Sequence, residues 1–228
     1  MNRKGYSLAI FVLLFFVCSA SAVVVGQIDD FQNGTTMNWS NGDIIGTVPV
    51  TNIATGGPAG AGDRYIQLTA DGSSSGGKLT AFNRDQWLGD YLAAGVTTIE
   101  VDLLNQSAVA LSIRLAFKTG PGSAGVPGYL SQAMLLPVNS GWQHFTISLL
   151  AANLIPVGGP DPWSTLFIGE VRFINETGTS NLSGNPVVGQ LGIDNVHAVP
   201  EPATTVLVAG SLLMVAARLR RKSFRHRR

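Results

Sequence analysis

The stretch VALSIRLAF, residues 109–117, decides the fold. Val109, Leu111, Ile113, Leu115 and Phe117 fall on one side of an extended chain. Ala110, Ser112, Arg114 and Ala116 fall on the other. A period of two places one face on a core and one toward solvent, which is the signature of a half-buried strand. The same period recurs on either side. In TTIEVDLL (97–104), Ile99, Val101 and Leu103 alternate with Glu100 and Asp102. In WQHFTISL (142–149), Phe145, Ile147 and Leu149 share a face, and His144 lies on the other. RYIQLT (64–69), KLTAF (78–82), LSQAMLL (130–136), EVRFIN (170–175) and QLGIDNV (190–196) are further strand candidates.

Glycine, proline, asparagine and serine separate these runs, in ATGGPAGAGD (54–63), DGSSSGG (71–77), TGPGSAGVPG (119–128), VGGPDP (157–162) and TGTSNLSGNP (177–186). Such residues supply the backbone conformations that tight connections need. Many short strands, turn-rich links and little helical pattern predict an all-β fold, an antiparallel β-sandwich of jelly-roll type. Only RDQWLGDYLAAG (84–95) suggests a short helical turn. The sandwich is expected to occupy residues 23–198.

The charges are segregated. The 228-residue chain has a formal net charge of +1, but nine of its fifteen bases lie at the two ends. Residues 23–199 carry six bases against thirteen acids, a formal −7. An acidic body repels phosphates, so nucleic acid is excluded as a partner. At the N-terminus, Arg3 and Lys4 precede the apolar run LAIFVLLFFV (8–17), and ASA (20–22) supplies small residues for cleavage. This is the plan of a signal peptide, residues 1–22, read by signal peptidase and the secretion machinery. The single cysteine, Cys18, lies inside it, so the exported body has neither a disulfide nor a thiol nucleophile.

The C-terminal segment 199–228 begins VPEPATTVLVAGSLLMVAARLRRK. Residues 203–217 are uncharged and mostly apolar. These 15 residues fall short of the roughly 20 that a helical span needs. Arg218, Arg220, Arg221 and Lys222 form a stop-transfer block on the cytoplasmic side. Pro200 and Pro202 keep Glu201 extended and accessible ahead of that helix. The order Pro200-Glu201-Pro202, short apolar helix, basic cluster closely resembles the PEP-CTERM sorting signal of Gram-negative bacteria. That resemblance implies an inner-membrane intermediate held by a single C-terminal helix. It also implies an exosortase as processing partner, and delivery to the cell surface or an exopolysaccharide matrix.

The two ends of the body carry a second resemblance. IDDFQNGTTMNWSNG (28–42) and GQLGIDNVHAV (189–199) are similar to the opening and closing strands of galactose-binding-like jelly rolls, the fold of many carbohydrate-binding modules. That resemblance implies a structural calcium between the ends, with Asp30 and Asp194 as ligands. No other cofactor is expected.

Two glycine patterns imitate catalytic motifs. Residues 72–76 match G-x-S-x-G and residues 120–125 match G-x-G-x-x-G. A nucleophile elbow and a dinucleotide site both need a helix after the glycines, and a strand-like or proline-broken segment stands there instead. No His-x-x-His or other zinc spacing occurs. The body is therefore expected to be no enzyme. Stacking on sugar C–H faces suits tryptophan and tyrosine, which makes Trp87, Tyr91, Trp39 and Trp163 the candidate glycan contacts. Trp87 and Tyr91 form the preferred pair, at i and i+4. The expectation is an exported surface or matrix protein with a structural or adhesive role, exopolysaccharide being a candidate partner. A carbohydrate-binding module with a defined glycan is the alternative, and a secreted glycan hydrolase a third reading.

Overall fold

The computed structural model describes residues 22–42, 48–73, 77–121 and 125–200. The signal segment up to residue 21 lies outside the described residues. So do Glu201, Pro202, the 203–217 stretch, and Arg218, Arg220, Arg221 and Lys222. The signal helix and the membrane helix expected from the sequence thus fall where nothing is described. Among the described residues, no helix is long and apolar enough to cross a membrane.

Among the described residues, twelve strands form two six-stranded sheets, and every pairing is antiparallel. They are β1 (Ile28–Asp29), β2 (Thr51–Ile53), β3 (Tyr65–Asp71), β4 (Thr80–Asn83), β5 (Thr98–Asn105) and β6 (Leu111–Lys118), followed by β7 (Gly128–Leu130), β8 (Met134–Leu136), β9 (Gly141–Ser148), β10 (Ile155–Val157), β11 (Glu170–Asn175) and β12 (Val188–Val199). The first sheet runs β2-β3-β12-β5-β9, with β1 also on β12. The second runs β10-β7-β6-β11-β4, with β8 also on β6. The first and last strands, β1 and β12, thus pair with each other inside the first sheet.

Alternation builds the core. Ile99, Val101 and Leu103 of β5, Ile66 and Leu68 of β3, and Leu191 and Ile193 of β12 are buried. They meet Ile113, Leu115 and Phe117 of β6 and Val171 and Phe173 of β11 in one apolar cluster. Burying each such side chain is worth about 1.5–3 kcal/mol, so the sandwich needs no disulfide. The core reaches back to Val23, whose N–H donates to the Leu88 carbonyl at 2.8 Å.

Two features depart from the sequence reading. First, β6 starts at Leu111, and Val109 is exposed. The expected solvent side of β6 is covered as well: Arg114, Ala116 and Lys118 are all buried. Leu182, from the long β11–β12 connection, packs with Ala116, Leu130 and Ile174 over that side. Second, LSQAMLL is not one strand: β7 ends at Leu130 and β8 starts at Met134. The short helical turn expected in residues 84–95 is present, with Ala94 N–H donating to the Asp90 carbonyl at 3.0 Å.

Near its C-terminal end β12 carries a bulge. Asp194 faces Asp102, but His197 faces Glu100, so β12 spends three steps where β5 spends two. Asn195 within the bulge takes φ +51°, a left-handed conformation that asparagine tolerates better than most residues. Gly192, just before it, lies under two rings. A Cβ there would sit 3.2 Å from both Tyr65 and Trp142 side chains. Those rings meet edge to face at 5.1 Å, an arrangement that needs the missing side chain.

Candidate functional site

β1 divides two adjacent acids between opposite sides of the first sheet. Asp29 pairs with Val196 and points into the core, where it is buried. Its Oδ2 accepts from the indole nitrogens of Trp39 and Trp87, each at 2.7 Å, and from Gln86 Nε2 at 3.0 Å. Burial raises the Asp29 carboxyl above its usual range, and those three donors pull it part of the way back. Hydrogen bonds to a charged group contribute about 1.5–3 kcal/mol each. This hub therefore pins the segment around residues 29–39 to the turn at residues 86–87.

The hub holds Trp39 and Trp87 in the core, and all four aromatic candidates are buried there. Trp39, Trp87, Tyr91 and Trp163 are at most 4% exposed. Trp39 packs on Trp87 and Phe173, and Tyr91 packs on Phe117 and Trp163. The expected Trp87–Tyr91 proximity exists, with the Tyr91 hydroxyl donating to the Trp87 carbonyl at 2.8 Å. Their rings nevertheless offer no open face to a sugar. As large apolar groups they gain more from the core than from the surface.

A groove of about 510 Å³ opens directly outside this hub. Asn33, Thr35, Asn38, Asp85 and Gln86 line it with polar groups, and Ile28 and Met37 contribute apolar surface. The size falls within the usual range for small-ligand sites. Asn38 Nδ2 donates to Asp85 Oδ2 at 2.7 Å and to Gln86 Oε1 at 3.2 Å. Gln86 Nε2 also donates to the Met37 carbonyl at 2.6 Å. Met37 and Asn38 hold φ of +47° and +64°, and nearby Phe31 holds +56°. Three non-glycine residues with left-handed backbone within eight positions are a strained cluster, of the kind that persists where surroundings overdetermine the chain. Sequence reasoning favoured the aromatics and missed Asn38, Asp85 and Gln86. Their common signal is planar amide and carboxylate side chains at the two ends of the tryptophan hub, which no local spacing reveals.

Asp30 and Asp194, the calcium candidates, lie at the outer side of the first sheet. Asp194 is buried, and its Oδ1 accepts from the N–H of Asn195 at 2.8 Å. Its Oδ2 has no hydrogen-bond partner. Burial, reinforced by the charges of Asp63, Asp102 and Asp30, raises the Asp194 carboxyl to about 7 against the pull of that N–H. A buried, unpartnered oxygen among like charges suits a cation. Among the described residues, however, no three His, Cys, Asp or Glu side chains are grouped to hold a metal. Gln32 already serves part of the region: its Nε2 donates to Asp63 Oδ1 at 2.7 Å and to the carbonyls of Asp30 and Arg64. A cation would therefore rely on Asp194 and on carbonyl or amide oxygens rather than on a carboxylate cage.

The remaining chemical candidates are isolated. His144 Nδ1 lies 2.9 Å from Asp102 Oδ1, and Asn195 Nδ2 donates to the other oxygen of the same carboxylate. His197 Nδ1 lies 3.6 Å from Glu100. Residues 74–76 and 122–124 of the two glycine patterns lie outside the described residues. Strand β4 succeeds the first pattern and strand β7 the second, so neither glycine loop opens a helix.

No protein-family model matches this chain, and no curated protein matches it. Similar solved structures include a family 11 carbohydrate-binding module from Clostridium thermocellum in complex with a β-1,3-1,4-mixed-linked tetrasaccharide. It is 16% identical, covers 78% of this chain and 97% of its own, and has a TM-score of 0.47. A non-crystalline-cellulose-specific carbohydrate-binding module is 13% identical, with coverages of 78% and 97% and a TM-score of 0.47. An exo-β-agarase matches 76% of this chain with 25% of its own, at 13% identity and a TM-score of 0.48. At these values the likeness assigns neither family nor ligand to this chain.

Proposed function

We propose that this chain is an exported bacterial glycan-binding protein that acts at the cell surface or in an exopolysaccharide matrix. The groove bounded by Asn38, Asp85 and Gln86 is the observation that carries the reading. The amide N–H groups of Asn38 and Gln86 are used within the protein, which leaves Asn38 Oδ1, Gln86 Oε1 and the Asp85 carboxylate to accept from neighbouring sugar hydroxyls. Ile28 and Met37 offer apolar contact to C–H groups. The Asp29 hub behind the groove holds these side chains in place before a ligand arrives, which lowers the ordering cost of binding. A preformed polar groove favours a defined saccharide over a purely structural matrix role.

In this reading signal peptidase removes residues 1–22, and an exosortase acts at Pro200, Glu201 and Pro202 after the C-terminal helix has paused in the inner membrane. The sandwich then reaches the outside without a catalytic task. A structural calcium is part of the proposal, bound at Asp194 Oδ2 with Asp30 nearby and completed by carbonyl oxygens. Its role would be to neutralise Asp194 and hold the bulge of β12 against β1.

The test is calorimetric titration of the purified protein with a panel of soluble oligosaccharides. Asn38→Gly keeps the left-handed backbone accessible while deleting the amide. It is expected to weaken binding about tenfold or more, the loss of one good polar contact. Asp85→Ala is expected to act in the same direction. Absence of binding to every saccharide at millimolar concentration would defeat the glycan reading and leave the structural one.

A further inference from the structure

An open sheet edge is a row of unpaired N–H and C=O groups that another chain can join. Most edges of this sandwich are blunted. The edge strands β1, β2, β8 and β10 have two or three residues each, and β10 contains Pro156. Strand β4 has four, and its Phe82 already exchanges main-chain hydrogen bonds with Ser40, at 2.7 and 3.0 Å. Among the described residues the longest open edge is β9. It runs for eight residues, Gly141–Ser148, and pairs with β5 over its whole length without a register shift. The N–H of Leu149 donates to the Thr97 carbonyl at 2.8 Å, which sets the phase of that ladder. Gln143, Phe145 and Ile147 therefore turn their main-chain groups toward β5, and Trp142, His144, Thr146 and Ser148 turn theirs away. Among the described residues no hydrogen bond engages the main chain of these four. Lysine, proline and a bulge, the usual guards of an edge, are all missing from β9.

The strand is also matched to itself. Phe145 lies opposite Val101, so its ring is on the core side, yet it is only half-buried. A groove of about 250 Å³ opens beside it, lined by Met134, Phe145 and Ile147 together with Gln132 and Asn153. Antiparallel pairing of two β9 strands about a two-fold axis at Phe145 sets His144 opposite Thr146 of the second copy, as a hydrogen-bonded pair. It sets Phe145 opposite Phe145 of the second copy, as the non-hydrogen-bonded pair whose side chains approach most closely. Each ring then covers the other beside the groove. The strand itself holds no Asp, Glu, Lys or Arg. The formal −7 of the body opposes association, and Glu100 and Asp102 of β5 border β9. Those two acids lie three strand spacings from their counterparts in the second copy, about 14 Å. Physiological salt screens exposed charges beyond about 8 Å.

We infer that β9 is a self-association edge: two copies of this chain join through antiparallel β9 strands, making their six-stranded first sheets into one continuous sheet. A foreign strand would meet the same main-chain groups, but the two-fold match at Phe145 and the uncharged strand favour a second copy. The pairing is independent of the glycan reading. One strand from each copy makes a small contact, so the pair is weak and reversible.

The experiment is sedimentation equilibrium of the purified protein at up to about 1 mM, where a weak contact fills. The mass is expected to approach that of two chains, more completely as added salt screens the acids. Thr146→Pro removes an N–H that points away from β5 and places a ring on the edge, so it is expected to sediment as a single chain. The double variant His144→Lys, Thr146→Lys sets lysine opposite lysine and is expected to do the same, and thermal melts verify that each variant is folded. The register has its own readout. A non-hydrogen-bonded pair holds its Cα atoms at about 4.5 Å, within disulfide reach, so mild oxidation should link Phe145→Cys into covalent pairs. Val188→Cys, exposed on β12, is expected to give no linkage above wild type. A single chain at every concentration overturns the inference. Association that survives in both edge variants overturns it as well, because another surface then carries the contact. Pairs that form without linkage of Phe145→Cys contradict the two-fold register and overturn it too.

Discussion

Asp194 and Glu170 are buried alike, one on the outer side of each sheet, and their surroundings are opposite. Asp194 lies among Asp63, Asp102 and Asp30, and one of its oxygens has no partner. Glu170 is gripped by Arg84, Lys118 and Arg172. The same burial thus raises one carboxyl to about 7 and fails to raise the other. Burial sets the size of the electrostatic stake, and the neighbours set its sign. The two sheets therefore hold their buried carboxyls in opposite settings, one among acids and one among bases.

The largest effect should come from removing the carboxylate among bases. Glu170→Gln leaves Lys118 and Arg172 buried beside a neutral side chain. Breaking a buried pair in this way costs about 3–5 kcal/mol, to be read by urea unfolding at neutral pH. A loss below 1 kcal/mol would mean that the cations relax to solvent and the cluster is not fixed.

The second effect has the opposite sign. Asp194→Asn removes a charge that no cation among the described residues neutralises, so in chelated buffer at pH 8 the variant is expected to be more stable by about 1–3 kcal/mol. The two carboxyls also imply opposite pH dependence. The Asp194 pKa is raised on folding, so its contribution is most favourable below the usual carboxylate range and is lost as pH rises to about 7. The Glu170 pKa is lowered, so its contribution is present above the usual range and is lost as pH falls below it. The stability gap between Asp194→Asn and wild type should thus change between about pH 4 and 7, whereas the gap between Glu170→Gln and wild type should be present at neutral pH and close only in acid. Coincident pH profiles would erase the distinction between the two settings.

A smaller effect comes from cation binding. Calcium at a hundred times its dissociation constant stabilises by about 2.7 kcal/mol. The proposed site predicts a rise in Tm with millimolar calcium that is absent in Asp194→Asn and unaffected by Glu170→Gln. An equal rise in all three proteins would place the ion elsewhere. The smallest effect on stability belongs to Arg84→Gln. A half-exposed ion pair is screened by solvent, and the change should stay within about 1 kcal/mol by thermal melt. A larger loss would mean that solvent does not screen the pair and that Arg84 is needed to hold Glu170 in place.

The strands were legible because alternation is local. QLGIDNV and EVRFIN lie within β12 and β11, and WQHFTISL overruns β9 by its last residue alone. What the alternation of VALSIRLAF could not reveal was that its second side is covered. Leu182, which covers it, lies far along the chain, and its contact with Ala116 depends on the path of a long loop. The site was harder still. Trp39 and Trp87 drew attention as large aromatics, but one carboxylate, Asp29, turns both inward. Asn38 and Gln86 are 48 residues apart and meet only through that hub. Asp30 and Asp194 came from the ends of the body, whose antiparallel pairing in the first sheet makes them neighbours. The meeting of Lys118 with Glu170 depends on the ladder register of β6 against β11, which no single strand encodes.

The most direct measurement of the central claim is hydrogen exchange of the purified protein with and without the tightest-binding oligosaccharide of the panel. Binding at the groove should slow exchange in residues 33–38 and 84–86 and leave the outer side of the first sheet unchanged. Protection spread over β5 and β9, or no protection at saturating saccharide, would contradict it.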